Sequence, residues 1–317
     1  MTAAVNSLVV PVYRNAATID ELVGVVGALA KEVDGPMEAI FVIDGSPDDS
    51  QARLLAALQN APFQARIVEH SRNFGSFAAI RTGMTLASGE RIAVMAADLQ
   101  EPPELVSRFF SRLADEHVDV VVGRRTARDD RGDTLSAFYW RLYRRFVMSE
   151  IPEGGVDVFA CTRKVRDVVC SLEAVHTSLV AQLFWAGFKR EVVPYQRRPQ
   201  RGRSGWTARR KLRYLSDSVF AFTDLPVRLL WMTGIVGIAL GAIVGTVVIV
   251  ARAAGAITVP GYAATILVLD FFASLNLMGL GIIGSYVWRA YDTVKGRPGG
   301  IVREVIDVPA SGSAGRP

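Results

Sequence analysis

Two long apolar runs near the carboxyl end of the chain place the strongest limit on how it can fold. They cover residues 229–251, which is 23 residues (251 − 229 + 1) without a charge, and residues 261–288, which is 28 residues (288 − 261 + 1) with one charge, Asp270. A helix rises about 1.5 Å per residue, so 23 residues exceed the roughly 30 Å thickness of a hydrocarbon core. We therefore expect two transmembrane helices joined as a hairpin.

Basic residues flank this pair of runs rather than lying between them. The connection, residues 252–260, has one basic residue, whereas residues 209–228 have five and residues 289–297 have three. Because loops rich in Lys and Arg stay on the cytoplasmic side, both ends of the hairpin are predicted to be cytoplasmic. The opening residues lack the pattern of a signal peptide. We expect a multi-pass protein of the cell (inner) membrane whose large domain and both termini are cytoplasmic.

The segment before the first apolar run, residues 207–228, is basic and amphipathic. Apolar side chains recur there at helical spacing behind four closely spaced Arg and Lys residues. This layout predicts an interfacial helix in the headgroup layer, with an ordinary helix packed on its own domain as the alternative. Within the first run, Gly237, Gly241 and Gly245 form a row that permits close helix contact. A homo-oligomer is one expectation from this row, and packing within the hairpin is the other.

Charge and cysteine content narrow the class of protein further. The net charge is +5 (36 − 31), and the basic residues are concentrated between residues 197 and 228. This distribution favours an anionic bilayer surface over nucleic acid as a partner. Cys161 and Cys170 are too few and too isolated for a disulfide framework or a zinc site. The low cysteine content fits a reducing compartment.

The first 125 residues alternate short apolar runs with amphipathic segments. Continuous β-branched runs are typical of strands buried in a parallel sheet. A capping-box pattern at Thr18 and Glu21 opens the first predicted helix. The alternation predicts a doubly wound α/β domain. Strands are predicted at residues 7–12, 39–43, 65–68, 91–95 and 118–122, and helices at residues 18–29, 50–59, 76–87 and 103–116.

Polar side chains follow the carboxyl end of every one of these strands. In open α/β sheets, ligands bind outside the carboxyl ends of the strands. Two carboxylates, an amide and several guanidinium groups should therefore surround one crevice, a mixture that suits a metal-chelated diphosphate. Asp44 and Asp98 taken singly have another explanation, because Asp commonly caps turns after strands. The five loops begin at Tyr13, Asp44, Ser71, Asp98 and Gly123.

Five motifs, taken in order, resemble the family 2 glycosyltransferases of the GT-A fold. They are Pro11-Val-Tyr13, DGSPDDS at residues 44–50, RNFG at residues 72–75, DLQEPPE at residues 98–104 and GRR at residues 123–125. Within that family the chain is most similar to the polyprenyl-phosphate glycosyltransferases, the dolichol-phosphate mannose synthase-like group.

The resemblance extends over nearly the whole chain and implies its organisation. A GT-A catalytic domain, Rossmann-like with a mostly parallel sheet, would cover residues 1–206. The interfacial helix would cover residues 207–228, and the two transmembrane helices would lie within residues 229–288. A cytoplasmic tail, residues 289–317, is expected to be partly disordered, in particular past Arg303.

The resemblance also implies a role for individual residues. Asp98 and Gln100 would bind Mg²⁺ or Mn²⁺ on the diphosphate, and Asp98 and Asp157 would serve catalysis. Asp44 would accept a hydrogen bond from the nucleobase. The residues that would contact the nucleotide are Pro11, Tyr13, Asp44, Arg72, Ala97 and Arg125. The residues that would meet phosphates of the donor or of the lipid acceptor are Arg128, Arg198, Arg201, Arg203 and Ser204.

Three places depart from the family pattern, and one of them is the basic loop RPQRGRSGW at residues 198–206, which has Gly205 where a lysine is usual. The family usually has an acidic pair before Gly-Ser, and here the first member is Ile43. The family metal motif is usually DxD, and here its first Asp is Ala96. A metal would therefore depend more on the donor diphosphate and on water, as Mg²⁺ often does.

The function implied by the resemblance is inverting transfer of a sugar from a nucleotide sugar to a polyprenyl phosphate at the cytoplasmic membrane face. The uridine nucleotide is expected, with guanosine left open, and the product would serve a cell-envelope glycan or its modification. One alternative is a non-catalytic membrane scaffold that binds a sugar nucleotide. A processive polysaccharide synthase is the weaker alternative, because two spans cannot enclose a channel and no QxxRW signature occurs.

Overall fold

The computed structural model describes residues 6–126, 141, 143–145, 148–152, 155–172, 178–196, 219, 223, 225–255 and 261–311. The chain divides into two compact units. The first, here called the sheet unit, comprises Met1–Leu212 and Pro298–Pro317, and the second, here called the helical unit, comprises Arg213–Arg297. The helical unit is thus an insertion in the chain of the sheet unit.

The sheet unit opens with the alternation of strands and helices that the sequence predicts. Each predicted element is present, and its ends differ by a few residues from the expected ones. The doubly wound α/β prediction is therefore confirmed. The strands are β1 (Asn6–Val12), β2 (Met37–Ile43), β3 (Gln64–His70), β4 (Arg91–Val94) and β5 (Val120–Arg125), and the helices are α1 (Ile19–Glu32), α2 (Ser50–Leu58), α3 (Ser76–Leu86) and α4 (Glu104–Arg112).

The second half of the unit completes the sheet. It adds β6 (Phe159–Thr162), α5 (Arg163–Ser171), α6 (Leu179–Trp185) and β7 (Arg190–Tyr195). With the last strand, β8 (Val302–Val308), the described strands form one sheet in the order β7-β5-β6-β4-β1-β2-β3-β8. Strands β6 and β8 run antiparallel to their neighbours, and the other pairings are parallel. The carboxyl ends of β1 to β5 and of β7 therefore lie along one edge, here called the carboxyl edge.

Strand β8 corrects the expectation that the tail past Arg303 is disordered. Residues Val302–Val308 pair antiparallel with β3, and the Ser311 amide donates to the carbonyl oxygen of Ala61 at 2.8 Å. The reason is tertiary. An unpaired β3 edge would expose a row of backbone donors and acceptors, and β8 satisfies them. Composition of the tail alone does not reveal a partner that lies more than 230 residues earlier in the chain.

The centre of the sheet is buried on both faces. Every residue of β2 is buried, and so is nearly every residue of β1, because helices cover both sides of a parallel sheet. Gly83 lets α3 approach closely, since a Cβ there would lie 2.4 Å from Cγ1 of Val9 and 3.1 Å from Cγ2 of Val42. Burial of each Val, Leu or Ile side chain stabilises the fold by about 1.5–3 kcal/mol. This rigid core fixes where the strand ends project.

The helical unit contains two long helices, α7 (Leu225–Ala253) and α8 (Tyr262–Val294). Among the described residues, the segment Phe271–Val294 is long and apolar enough to cross a membrane, and Leu225–Gly237 is a shorter apolar segment. Large apolar side chains such as Ile243 on α7 and Leu277 on α8 are exposed. The predicted two-span hairpin remains a prediction. The predicted interfacial helix, residues 207–228, lies largely outside the described residues.

Within this unit the two helices pack closely through small residues. A Cβ at Gly237 would lie 3.7 Å from Cε1 of Phe272, and a Cβ at Gly279 would lie 3.2 Å from Cδ1 of Leu230. Gly237 belongs to the predicted glycine row, so at this position the row serves contact within the helical unit. Association between copies stays a prediction.

Candidate active site

Asp44, the residue that follows β2, holds the loop that follows β3. Its side chain is buried at 3% exposure. Oδ1 lies 2.9 Å from Nδ1 of His70 and accepts from the Phe74 amide at 2.8 Å, while Oδ2 accepts from the Gly75 amide at 2.7 Å. Burial raises the pKa of Asp44, but the hydrogen bonds from His70, Phe74 and Gly75 outweigh it and bring the pKa below its usual range.

This geometry gives Asp44 a structural role. Its carboxylate is almost fully buried and bonds a ring nitrogen and two backbone amides, which positions residues 72–75. Contact of Asp44 with a nucleobase stays a prediction. The Asn73 side chain adds a further link, because its Nδ2 donates to the Asp44 carbonyl at 3.1 Å.

Gly45 allows the loops after β2 and β3 to touch. Its φ is +55°, a left-handed conformation that glycine adopts without steric cost. A Cβ at this position would lie 2.3 Å from the carbonyl carbon of Arg72 and 2.4 Å from the amide nitrogen of Asn73. Both atoms belong to the backbone, so no side-chain movement could relieve the clash. The glycine of the DGS motif is therefore required twice, for its conformation and for its lack of a Cβ.

Asp48 joins the loop after β2 to the loop after β1. Its Oδ1 accepts from the hydroxyls of Ser46 at 2.6 Å and Ser50 at 2.7 Å, and its Oδ2 accepts from the Ala16 amide at 3.1 Å. Burial raises the pKa of Asp48, but these hydrogen bonds outweigh burial and lower the pKa to about 2. The Ser46 hydroxyl also accepts from the amide of Arg14 at 2.7 Å, so the two loops form one hydrogen-bonded group.

Tyr13 is presented to solvent by this group. Arg14 has a φ of +57°, which is uncommon for a residue with a side chain, and the Tyr13 amide donates to Oδ1 of Asn15 at 3.0 Å. The Tyr13 side chain is 41% exposed, and the preceding Pro11 is partly buried at the end of β1. An exposed aromatic ring on a fixed backbone can stack on a flat ligand such as a nucleobase.

Arg72 projects from the loop that Asp44 holds. Its guanidinium carbon lies 4.1 Å from the centroid of the Phe74 ring, and its Nη1 donates to the Asn73 carbonyl at 3.2 Å. The residue is exposed, and a guanidinium has five N–H donors in a fork that matches phosphate oxygens. The structure thus leaves most of its donor capacity facing solvent at the carboxyl edge.

Asp98 and Gln100, the predicted metal ligands, are hydrogen-bonded to each other after β4. The Gln100 Nε2 donates to Oδ2 of Asp98 at 2.5 Å, and the Gln100 amide donates to Oδ1 at 3.3 Å. Leu99 between them has a φ of +54°, a sparsely populated conformation that clusters at functional sites.

The Gln100 side chain provides a test of the predicted metal site. Gln100 is 5% exposed, and its Oε1 has no hydrogen-bond partner among the described residues. The Gln100 Oε1 is thus a buried acceptor without a donor, and a hard cation bound to it would compensate for the missing hydrogen bond. No cluster of three or more His, Cys, Asp or Glu side chains suited to a metal occurs among the described residues. The residues present therefore fit a cation that takes its remaining ligands from the donor diphosphate and water.

Ala97 lies beside this pair and is fixed through its backbone. It is buried, and its carbonyl oxygen accepts from the Thr18 hydroxyl at 3.2 Å. The same hydroxyl donates to the Asn15 carbonyl at 3.1 Å. Thr18 is the N-cap residue of α1 but makes no side-chain cap bond, so the expected capping box is wrong. Its hydroxyl instead links the loops after β1 and β4.

Arg125, Asp157 and Tyr195 form a second group at the carboxyl edge. Nη2 of Arg125 donates to Oδ2 of Asp157, and the Tyr195 hydroxyl donates to the same oxygen at 3.3 Å. Burial lowers the pKa of Arg125, but the charge of Asp157 outweighs it and the pKa is raised. Burial raises the pKa of Tyr195, as do the nearby carboxylates of Asp157 and Glu101. Tyr195 therefore stays protonated and acts as a donor.

Glu101 connects this second group with the loop that carries the predicted metal ligands. It belongs to the same loop as Asp98 and Gln100, is buried, and acts electrostatically on Tyr195. The Asp157 side chain itself is 36% exposed, so the group has an open side. The predicted phosphate ligands Arg128, Arg198, Arg201, Arg203 and Ser204 lie outside the described residues.

Three residues of these groups escape the motif-based predictions. Asp48 belongs to the DGSPDDS motif without an assigned role, and His70 belongs to none of the five motifs. Tyr195 ends β7 at the carboxyl edge, so the rule that ligand residues follow strand ends could have found it. His70 has no such signal, because a buried histidine is recognised only from its partners.

Comparison with known proteins supports this site at the level of family and fold. The family model for glycosyl transferase family 2 matches residues 7–170. The uncharacterized glycosyltransferase YkcC of Bacillus subtilis is 31% identical over 304 residues, which cover 94% of this chain and 93% of that protein.

A named transferase and a solved structure are also similar. The undecaprenyl-phosphate 4-deoxy-4-formamido-L-arabinose transferase of Klebsiella pneumoniae is 30% identical over 319 residues, covering 97% of this chain and 95% of that protein. Glucosyl-3-phosphoglycerate synthase from Mycobacterium tuberculosis, solved with Mn²⁺, uridine diphosphate and phosphoglyceric acid, has a TM-score of 0.50 at 18% identity, over 70% of this chain and 80% of that one. That likeness concerns the fold alone. With the motifs, the sheet and the relatives in agreement, the chain belongs to glycosyl transferase family 2 and is a glycosyltransferase with a GT-A catalytic fold.

Proposed function

We propose that the protein transfers a sugar, with inversion, from a nucleotide sugar to a polyprenyl phosphate at the cytoplasmic membrane face. The observation that carries the donor half is the Asp98–Gln100 pair, whose buried Oε1 has no hydrogen-bond partner among the described residues. The acceptor half is supported by the relative named for undecaprenyl phosphate and by the apolar segment Phe271–Val294.

The donor would lie along the carboxyl edge. The exposed ring of Tyr13 offers a stacking surface for the base, and Pro11 and Ala97, whose backbone belongs to β1 and to the loop after β4, would contact the nucleotide. Arg72 would pair with the diphosphate. Asp98 and Gln100 would hold a divalent cation, Mg²⁺ or Mn²⁺, and when bound it would neutralise charge that develops on the leaving diphosphate. We expect a uridine nucleotide, with guanosine as the other candidate.

The acceptor needs little help to become a nucleophile. A phosphate monoester with a second pKa near 6 is largely dianionic at pH 7, so an acceptor oxygen can attack the anomeric carbon without losing a proton to the protein. Catalysis then consists of positioning and of stabilising charge. Asp157, held by Arg125 and Tyr195, is assigned to orient the sugar and the acceptor phosphate. Arg128, Arg198, Arg201, Arg203 and Ser204 would bind phosphates.

Chain connectivity supports a pair of spans. The segments that enter and leave the helical unit both belong to the sheet unit. If the sheet unit stays on one side of the membrane, the number of crossings must be even. Helix α7 has 29 residues, which at about 1.5 Å per residue is long enough for the second crossing.

A non-catalytic scaffold that binds a sugar nucleotide is the alternative. It is motivated by Ile43, which is 2% exposed and belongs to the hydrophobic core, at the position where the family usually has a carboxylate. Ala96 likewise removes one potential metal ligand. A processive synthase has less support.

Transfer of labelled sugar from a panel of UDP- and GDP-sugars to a short polyprenyl phosphate tests the proposal. Purified protein in detergent should give a labelled lipid that disappears with EDTA. Asp98→Asn should lower turnover by about 10³-fold. Asp20 is exposed, and the control variant Asp20→Asn should keep normal turnover. Nucleotide binding without any lipid product would favour the scaffold, and normal turnover of Asp98→Asn would contradict the metal assignment.

A further inference from the structure

The chain that leaves the helical unit passes directly over His70. The Ser71 amide donates to the carbonyl oxygen of Ile301 at 2.9 Å, immediately before β8 begins. A Cβ at Gly300 would lie 3.0 Å from Nε2 and 3.1 Å from Cε1 of His70, and 3.1 Å from Oγ1 of Thr82. Gly300 therefore lies against the imidazole, and a side chain at this position would be crowded by the ring.

His70 in turn connects Gly300 to Asp44. The imidazole is fully buried, with Nδ1 at 2.9 Å from Oδ1 of Asp44 and Nε2 at 2.9 Å from Oγ1 of Thr82. Phe74 packs edge-on against the ring, with centroids 5.4 Å apart. A ring that is bonded at both nitrogens and closed in by backbone has one orientation, and that orientation aims a donor at the carboxylate that holds residues 72–75.

We propose that Gly300 and His70 are positioning residues of the donor site, a role that rests on the proposed function. The backbone after the helical unit fixes the His70 ring, the ring fixes Asp44, and Asp44 fixes the amides of Phe74 and Gly75. These amides set the position of Arg72, the residue assigned to the donor diphosphate. The carboxyl-terminal strand thus supports donor binding without touching the donor.

The neighbouring glycine provides a matched control. Neither Gly299 nor Gly300 has a left-handed φ, so alanine is compatible with the backbone at both positions. A Cβ at Gly299 would have nothing within 4 Å, in contrast to the tight contacts at Gly300. Gly300→Ala therefore displaces His70 or Thr82 by a few tenths of an ångström, and Gly299→Ala displaces nothing.

Hydrogen exchange of the amides of Phe74 and Gly75 tests the linkage without any need for activity. In the full chain in detergent, Gly300→Ala should raise their exchange rates by about tenfold, and Gly299→Ala should leave them unchanged. Thr82→Val serves as a second variant if Gly300→Ala does not fold. It keeps the volume of the side chain, removes the hydrogen-bond partner of His70 Nε2, and should also raise the two exchange rates. Equal rates in all variants would overturn the proposal.

Kinetics test the functional consequence. Gly300→Ala should raise the KM for the nucleotide sugar by about fivefold with kcat within about twofold, because donor binding and not chemistry loses support. His70→Asn retains an N–H for Asp44 but lacks the ring atoms that the alanine methyl would meet. In that background Gly300→Ala should have no further effect, a non-additivity expected of residues in contact.

The outcomes separate the two proposals. An active wild type with identical donor KM in Gly300→Ala and Gly299→Ala would overturn the positioning role and leave the proposed function intact. A wild type inactive with every donor would remove the proposed function, and the exchange rates would then decide the linkage alone. Additive effects of His70→Asn and Gly300→Ala would contradict a path through the imidazole.

Discussion

The two hydrogen-bonded groups at the carboxyl edge are built in opposite ways. In the group after β1 to β3, the carboxylates of Asp44 and Asp48 accept hydrogen bonds mainly from backbone amides and from short neighbouring side chains. In the group around Arg125, two side chains bind each other, and Asp157 remains 36% exposed. Backbone bonds of the first kind hold a fixed shape. A partly exposed ion pair can exchange one partner for a ligand phosphate.

The contrast teaches how one edge can serve two substrates. The donor needs a preformed cradle, because its base and diphosphate must be aligned before reaction. Under the proposed function the acceptor phosphate would arrive from the membrane and bind beside Asp157, where the Arg125 charge is already paired in the free protein. We therefore expect substitutions in the first group to affect stability and donor binding, and substitutions in the second group to affect transfer.

The largest effect is expected from a substitution at Gly45, in the group after β1 to β3. Gly45→Ala would force the loops after β2 and β3 apart, because the Cβ would meet backbone at 2.3 Å. We expect a loss of about 3 kcal/mol of unfolding free energy and a Tm lower by about 6–12 °C. Thermal unfolding in detergent measures this. Gly24→Ala, where nothing lies within 4 Å of the added Cβ, is the control and should raise or preserve the Tm.

A smaller effect with a pH signature is expected at Asp48. Its pKa in the folded state is about 2, below the ordinary value of 3.8 for an aspartate, so its stabilising contribution is present above about pH 4 and is lost as the pH falls towards 2. Asp48→Asn should lower unfolding free energy by about 1.5 kcal/mol at pH 7. The Tm difference from wild type should shrink between pH 7 and pH 3. A difference that stays constant over this range would mean that the carboxylate charge is not what holds the loops.

In the group around Arg125, Asp157→Asn should reduce transfer and leave the fold intact. Loss of the carboxylate charge frees Arg125 from its partner. We expect kcat/KM to fall by about tenfold, equivalent to about 1.4 kcal/mol, with nucleotide affinity preserved. Glu90→Gln, which removes an exposed ion pair with Arg163, is the control and should have no effect. If Asp157→Asn lowered the Tm as much as Gly45→Ala, the expectation that the two groups differ in their effect on stability would be wrong.

The smallest effect is expected from Tyr195→Phe. The hydroxyl contributes one hydrogen bond of 3.3 Å to an oxygen that Arg125 already serves. Transfer should fall by about threefold, as expected for a single neutral donor. Assays of this variant alone and combined with Asp157→Asn measure the coupling. A full second decrease in the double variant would show that Tyr195 acts on something other than Asp157.

Sequence patterns predict the central sheet well for a physical reason. Strands β1 to β5 are continuous apolar runs separated by turn residues, and burial on both faces leaves that signature whatever the distant partners are. The strand-end rule then locates Tyr13, Asp44, Arg72 and Asp98 at one edge.

Features that depend on long-range partners are less accessible. Strand β8 has exposed, charged residues among its apolar ones, and only its pairing with β3 makes it a strand. Asp44 follows the expected strand, but its burial depends on His70, and nothing in the local pattern indicates that partner. The hydroxyl of Thr18 likewise contacts Ala97, 79 residues later, in place of the cap that its local pattern predicts.

The late position of β8 in the chain also sets an order of assembly. His70 ends β3, and β8 begins 232 residues later (302 − 70). At a synthesis rate of about 5–20 residues per second, roughly 12–46 s pass between the two. During that interval both long helices emerge from the ribosome while the β3 edge and the His70 ring have no covering strand. If His70 and Gly300 position the proposed donor site, that site would be completed only after the helical unit has been made, and a nascent chain would gain its affinity for the donor last.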